Sequence, residues 1–298
     1  STANLAIILI DARRGMLEQT HRHSFIASLL GIPHLIVCIN KMDLVDYQEE
    51  VFNKIKSDYE KFSSKLNIKD VRFIPISALE GDNVVKKSDN MPWYKGGTLI
   101  HELENVHISS DLNHVDCRFP IQMVTRPHRE GFQDFRGYAG RIEGGIFKPG
   151  DIIKALPSGF TTKVKEIYVG DKTVEEAFSP MSVCMTLEDE IDISRGDMLV
   201  RENNSPEIQQ KLELLVTWMN EKPLSTRAKL QVKHTTLETK AIVEDILYEV
   251  DINTLHRIEG VKELGLNSIG RVNLRVAQPF FIDQYKRNRS TGSLILID

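Results

Sequence analysis

Four consecutive residues, Asn40-Lys-Met-Asp43, directly follow an apolar run that predicts a buried strand. Ligands of open parallel α/β sheets bind at the carboxyl ends of the strands. The Asp43 carboxylate can accept two hydrogen bonds from guanine, from N1–H and from the exocyclic amino group, whereas adenine presents the reverse pattern. The Asn40 amide can reach the O6/N7 edge, and the Lys41 stem can lie over the base plane. The alternative interpretation is a helix-entry turn with solvated polar residues.

A second element, Ser77-Ala78-Leu79, follows the next apolar run, residues 71–76. At that place the Ala78 N–H can donate to guanine O6, and the small side chain allows the base to approach closely. The triplet alone predicts little, because Ser-Ala after a strand is common. Two such elements, one crossover apart, together predict a guanine-binding site. Its candidate residues are Asn40, Lys41, Asp43, Ser77, Ala78 and Leu79.

The phosphate half of a nucleotide site has no counterpart in the sequence. A phosphate-binding loop needs G-x-x-x-x-G-K-[ST] between a strand and a helix. The nearest match, residues 145–150 followed by Asp151, lacks the Lys-Ser/Thr pair and is interpreted as a hairpin turn. Ser1 stands three residues before a core strand. We therefore expect an N-terminally truncated nucleotide-binding domain, inactive by itself, and assign no catalytic or metal-binding residue.

The elements that position these residues alternate between strand and helix. Continuous apolar runs at 4–10, 34–39 and 71–76 are typical of parallel strands covered on both faces. Residues 18–30 and 47–66 have helical periodicity, and Gly31 stands where a left-handed cap ends a helix. Three strands joined by helical crossovers predict a parallel α/β sheet.

After residue 88 the pattern changes. A turn-rich connector and a short helix over 98–106 precede short strands, separated by turns, between 117 and 201. That spacing is typical of an antiparallel barrel or sandwich. A linker at 203–206 separates these strands from a further set that continues to 298. The sequence thus predicts three domains, at 1–107, 115–205 and 207–298.

Composition restricts the class of protein. No apolar run approaches the ~18 residues that a membrane helix needs, and the first residues lack the features of a signal peptide. Three widely spaced cysteines without metal-binding spacing predict reduced, buried thiols and a cytoplasmic protein. The net charge of −4 argues weakly against a nucleic acid as the main partner. The basic stretch at 285–289 is interpreted as a solvated loop.

Several motifs carry a family resemblance. Asp11-Ala-Arg-Arg-Gly15, Gln19-Thr20 and Met91-Pro-Trp-Tyr-Lys-Gly96, with the two elements above, resemble the GTP-binding domain of translation-factor-type GTPases. More specifically, the chain resembles the family of large, GTPase subunits of bacterial sulfate adenylyltransferase. The most specific segments are residues 23–27, 190–197, 218–224 and 288–293. The resemblance extends over essentially the whole chain.

This resemblance implies a fold and a function. The middle and last domains are then β-barrels, so the expected fold is an incomplete P-loop GTPase-type parallel α/β domain followed by two β-barrel domains. The family's complex makes adenosine 5′-phosphosulfate from ATP and sulfate for cysteine synthesis. A smaller partner subunit carries the adenylyl-transfer site, and GTP hydrolysis by the large subunit drives the transfer. The implied cofactors are GTP and a Mg²⁺ ion bound by the missing N-terminal part, so only the base-recognition residues carry over.

Two other functions remain open at this point. One is a translation elongation factor that delivers aminoacyl-tRNA, and the other is a noncatalytic scaffold whose nucleotide domain has decayed. The amino-acid sequence of segments 190–197 and 288–293 favours the sulfate adenylyltransferase family over the elongation factor. The start at Ser1 favours truncation over decay, because the base-recognition half is intact.

Overall fold

The structure is a computed structural model that describes residues 3–66, 68, 70–107, 113–126 and 135–298. The chain divides into two compact units. The first comprises Ser1–Ser110 and Val250–Ile258, and the second comprises Asp111–Glu249 and Glu259–Asp298.

The first unit contains a three-stranded parallel sheet in the order β1-β2-β3. The strands are β1 (Leu5–Asp11), β2 (His34–Asn40) and β3 (Asp70–Pro75). The helices are α1 (Glu18–Leu29), α2 (Glu49–Ser63) and α3 (Leu99–Asn105). The central strand β2 is apolar throughout because its side chains are buried, and Val37, Cys38 and Ile39 have no exposed surface. The predicted parallel α/β sheet is therefore confirmed.

Helix α2 begins two residues later than the periodicity predicts. Asp46 and Tyr47 have φ angles of 51° and 53°, and these values are incompatible with a right-handed helix. The buried face consists of Phe52, Ile55, Tyr59 and Phe62, at helical spacing. Between β2 and α2 the chain forms one short 3₁₀ helix, Met42–Val45.

Strand β1 lies at one side of the sheet, and among the described residues it pairs only with β2. Ile8 and Ile10 are buried, while Ile7 and Leu9 on the other face are 42% and 63% exposed. Such a strand has unpaired backbone groups along its free side. The first unit therefore presents an apolar, unpaired edge at β1.

The second unit is entirely β-structured in its described part. Its first nine strands are β4 (Arg118–Thr125), β5 (Gly137–Arg141), β6 (Ile146–Phe147), β7 (Ile152–Leu156), β8 (Thr161–Val169), β9 (Lys172–Thr173), β10 (Ala177–Phe178), β11 (Ser182–Leu187) and β12 (Met198–Arg201). Six of them follow the order β11-β5-β4-β12-β7-β8, and β8 pairs again with β11. This pairing closes a six-stranded antiparallel barrel around a core that includes Phe119, Phe147 and Met185.

A second set of strands follows: β13 (Glu207–Thr217), β14 (Leu224–Ser225), β15 (Lys229–His234), β16 (Leu237–Val250), β17 (Arg257–Glu259), β18 (Glu263–Leu264), β19 (Ile269–Ile282) and β20 (Ile295–Ile297). The last residue of β16 and residues 257–258 of β17 belong to the first unit. Their main sheet has the order β13-β19-β16-β15-β20 and is antiparallel. Its own apolar core includes Val243, Leu274 and Phe280. The fold class is thus a parallel α/β domain followed by β-barrels, while the three domain boundaries stay predictions.

A buried polar network links the two sets of strands. The Arg118 side chain is 2% exposed and forms a two-pronged pair with Asp283, with Nε–Oδ2 and Nη2–Oδ1 distances of 2.8 and 2.9 Å. The Arg287 guanidinium likewise donates twice to buried Asp116, at 2.6 Å each. The Arg287 side chain is 59% exposed, as the interpretation of residues 285–289 as a solvated loop expects, but it also pairs with a partner 171 positions earlier in the sequence.

The thiols match their expected burial only in part. Cys38 and Cys117 are buried, and Cys184 is half-buried. Burial raises the pKa of the Cys38 thiol to about 12. Among the described residues, no helix is long and apolar enough to cross a membrane.

Candidate guanine-recognition site

Asn40 joins the ends of two neighbouring strands. It is the last residue of β2, and its Oδ1 accepts hydrogen bonds from the backbone N–H groups of Lys41 and Ala78, at 2.7 and 3.0 Å. The second bond ties the end of β2 to the loop after β3. Because Oδ1 accepts both bonds, the Nδ2 amino group is the part of this side chain that is oriented to donate elsewhere.

The Lys41 side chain connects the end of β2 to the end of β1. Its backbone adopts the left-handed conformation, with φ 67° and ψ 38°, and its Nζ lies 2.9 Å from Asp11 Oδ2. Asp11 ends β1, and the parallel register places it opposite Asn40. The Arg13 guanidinium and the Lys41 ammonium hold the pKa of Asp11 well below its usual range. The Lys41 side chain is therefore anchored at its charged end.

Asp43 lies in the first turn of the 3₁₀ helix, and its Oδ1 is a buried acceptor without a hydrogen-bond partner among the described residues. Neither this helix nor α2 has a side-chain cap hydrogen bond. Asp43 therefore caps neither of these two helices. Since buried polar atoms are nearly always hydrogen-bonded, an unpaired carboxylate oxygen is typical of a binding site whose ligand supplies the donor. Met42, fully buried, fixes the turn by donating its N–H to the Ile76 carbonyl at 3.2 Å.

The loop after β3 presents the other candidate residues. Ser77 is fully buried, and its Oγ accepts a hydrogen bond from the Glu80 N–H at 3.2 Å. Ala78 is exposed, but its N–H is engaged by Asn40 and is not free for a ligand, contrary to expectation. The Leu79 side chain is 84% exposed and offers an apolar surface beside the polar groups.

Two further contacts support this part of the sheet. The Trp93 Nε1–H donates to the Tyr47 carbonyl at 3.0 Å and so fixes the chain just after the Asp43 turn. The Asn83 Nδ2 amino group donates to the Pro75 carbonyl, at the end of β3, at 2.9 Å. The structure thus brings Asn40, Lys41 and Ala78 into one hydrogen-bonded set, with Asp43 on the turn that continues it.

Sequence reasoning assigned no role to Asp11 or Arg13. The Arg13 guanidinium donates to both oxygens of Asp11, with an Nη2–Oδ2 distance of 2.7 Å and an Nε–Oδ1 distance of 3.1 Å. The available signal was that Asp11 ends an apolar strand in the same sheet as β2, so that its side chain had to lie near Asn40.

Two family models match separate parts of the chain. Residues 1–129 match the family described as the Elongation factor Tu GTP binding domain. Residues 211–298 match the family described as GTP-eEF1A C-terminal domain-like. Two solved structures of sup35, complexed with GMPPNP and with GDP, superpose with TM-scores of 0.55 and 0.57. Each is 22% identical to this chain. The two superpositions cover 99% and 100% of this chain and 75% and 76% of the sup35 chains, so they show a shared fold.

Curated relatives match the whole chain. The bifunctional enzyme CysN/CysC of Rhodopirellula baltica is 51% identical over 300 residues. The sulfate adenylyltransferase subunit 1 of Bacteroides thetaiotaomicron is 49% identical over 306 residues. Over its whole length the chain is thus similar to sulfate adenylyltransferase subunit 1, and over residues 1–129 to the GTP-binding domain of translation-factor-type GTPases. It spans 46% of the first of these sulfate adenylyltransferase relatives and 62% of the second.

Proposed function

We propose that the protein is the GTP-binding regulatory subunit of sulfate adenylyltransferase. In this role it couples GTP hydrolysis to the formation of adenosine 5′-phosphosulfate from ATP and sulfate. A relative named sulfate adenylyltransferase subunit 1 is 49% identical over 100% of the chain, which supports the reaction. The structural observation that carries the nucleotide assignment is the buried, unpaired Oδ1 of Asp43.

The proposed recognition of guanine uses complementary donors and acceptors. Asp43 accepts from N1–H and the exocyclic amino group of the base. Asn40 donates from Nδ2 to the O6/N7 edge, because its Oδ1 is already occupied. The Lys41 stem covers one face of the base, and the apolar Leu79 side chain lies beside it. Ser77 and Ala78 shape the loop through their own hydrogen bonds.

GTP is the proposed cofactor, and Mg²⁺ is the metal that its phosphates require in GTPases of this type. Among the described residues no group of three or more His, Cys, Asp or Glu side chains could hold a metal ion. We therefore give the described residues no part in binding Mg²⁺ and derive no catalytic step through it.

The proposed partner is the smaller, adenylyl-transferring subunit of the same enzyme, and the proposed location is the cytoplasm. The name subunit 1 of the relatives supports a heteromeric assembly. Two buried thiols support a reducing compartment. Nucleic acid is not part of the proposal.

The test combines the full-length natural polypeptide that carries this sequence with the smaller subunit, and separately with aminoacyl-tRNA. Association is measured by sedimentation, and product formation is measured as pyrophosphate released from ATP and sulfate. We expect a complex with the smaller subunit, and faster product formation with GTP than with a non-hydrolysable GTP analogue. Tight, GTP-dependent binding of aminoacyl-tRNA without association with the smaller subunit would instead establish an elongation factor.

A further inference from the structure

Both cationic side chains that lie close to the Asp43 turn are held by one carboxylate. Asp11 Oδ2 accepts from Lys41 Nζ at 2.9 Å and from Arg13 Nη2 at 2.7 Å. Asp11 Oδ1 accepts from the Arg13 backbone N–H at 3.0 Å and from its Nε at 3.1 Å. The Asp11 carboxylate thus receives four charge-assisted hydrogen bonds, three of them from cationic groups.

Asp43 follows closely after Lys41 and acts electrostatically on Arg13, and among the described residues it pairs with neither cation. It is two residues from Lys41 along the chain, and its negative charge contributes to the raised pKa of Arg13, after the larger effect of Asp11. Its buried Oδ1 nevertheless has no partner among the described residues. A lysine side chain has a flexible stem and a compact ammonium group, so its backbone position does not fix which carboxylate it pairs with.

We propose that Asp11 is a positioning residue that holds the Lys41 ammonium and the Arg13 guanidinium away from Asp43 and so keeps the Asp43 carboxylate open to the base. This inference rests on the proposed guanine site. It gives Asp11 a role in base specificity without any contact to the nucleotide. It also explains how a site with two cations beside a carboxylate leaves that carboxylate unpaired.

The arrangement persists at physiological pH. The hydrogen bonds from Arg13 and Lys41 hold the pKa of Asp11 well below its usual range, so the carboxylate stays ionised. The parallel register of β1 and β2 brings Asp11 opposite Asn40, the residue before Lys41. The pairing of two strands therefore sets the position of Asp11 relative to the residue before Lys41.

The test is a double-mutant cycle on nucleotide binding in the full-length natural polypeptide. Asp11→Asn keeps the shape of the side chain and removes its charge. Lys41→Met removes the ammonium and keeps an apolar stem. The third variant combines both, and Asp58→Asn is the matched control, because it removes a carboxylate that pairs with Lys61 on the surface of α2. Affinities are measured for GTP, for ATP, and for ITP, which lacks the exocyclic amino group.

In Asp11→Asn we expect GTP to bind about tenfold more weakly, because the freed ammonium competes with the base for Asp43, a loss comparable to one hydrogen bond to a charged group. The preference for GTP over ITP should shrink as well, because the exocyclic amine loses its acceptor. In the Lys41→Met background, the same Asp11→Asn change should weaken GTP binding less than in the wild-type background, since only the Arg13 guanidinium is left to compete. Asp58→Asn should behave as wild type.

Equal losses of GTP affinity in both backgrounds would show that Asp11 only stabilises the fold. An unchanged GTP affinity in Asp11→Asn would show that Asp11 has no role in binding. Either result overturns this inference but not the proposed function. A wild-type protein that does not prefer GTP to ATP would overturn the proposed function and this inference together. Thermal melts identify any unfolding of Asp11→Asn. In that case Asp11→Glu, which keeps the charge, should retain the wild-type preference for GTP over ITP, and its loss would also overturn the inference.

Discussion

Replacing Asp43 with Asn should weaken the binding of GTP by roughly 10- to 100-fold. The buried Oδ1 of Asp43 has no partner among the described residues and is the acceptor proposed for the base. In Asp43→Asn an amino group faces the exocyclic amine of guanine, so that one hydrogen bond is lost and two donors oppose each other. An unsatisfied buried donor costs ~1–3 kcal/mol, and each ~1.4 kcal/mol is a factor of ten in affinity.

The same substitution should improve the binding of XTP. Xanthine has a carbonyl where guanine has the exocyclic amine. This carbonyl can accept from the amino group that the substitution introduces, whereas it faces only acceptor atoms in the wild-type protein. The preference between the two bases should therefore move toward xanthine. ATP should remain a poor ligand in both proteins, because its base lacks the N1–H donor.

The assay is competitive binding of GTP, XTP and ATP to the wild-type protein and Asp43→Asn, in the full-length natural polypeptide. Asp58→Asn, on the exposed face of α2, is the matched control and should leave all three affinities unchanged. If Asp43 only supported the local helix, its replacement by Asn would hardly change base preference, because Asn caps a helix as well as Asp does. An unchanged GTP-over-XTP preference in Asp43→Asn would remove this residue from the site.

The remaining predictions concern stability and activity. Backbone amides of the first unit should exchange with solvent faster than those of the barrel strands, because β1 has an unpaired side and exposes Ile7 and Leu9; equal protection in hydrogen exchange would contradict this. Arg118→Met should lower the free energy of unfolding by about 3–5 kcal/mol in denaturant titrations, because it leaves the Asp283 carboxylate buried without its charge partner. The Arg287 guanidinium holds the pKa of Asp116 below its usual range, so the stabilisation is present above about pH 4 and is lost as the pH falls further. Asp116→Asn should therefore flatten the loss of stability between about pH 4 and 2, and an equally steep loss in the variant would refute the assignment. The 298-residue chain alone should not hydrolyse GTP, since it contains no phosphate-binding loop pattern; turnover above buffer in a phosphate-release assay would reveal a missed element.

Local patterns predicted most of the first unit. The apolar runs at 4–10, 34–39 and 71–76 became β1, β2 and β3. Coverage on both faces explains the apolar run of β2, whereas one face of β1 is exposed at Ile7 and Leu9. The start of α2 was wrong by two residues. Asp and Tyr are residue types found in many helices. Only the left-handed backbone of the turn after Asp43 keeps Asp46 and Tyr47 out of α2.

The sequence by itself determined the candidate base-recognition residues, because Asn40-Lys-Met-Asp43 follows a recognisable buried strand and each side chain has a definite hydrogen-bonding chemistry. It did not reveal the partners of those residues. Lys41 pairs with Asp11, 30 positions away, and Asn40 accepts from Ala78, 38 positions away. Arg118 and Asp283 are separated by 165 positions. Such contacts depend on strand order and register, which juxtapose distant residues in ways that no local periodicity encodes. Only the tertiary structure therefore decided which polar groups are paired and left the Asp43 Oδ1 without a partner among the described residues.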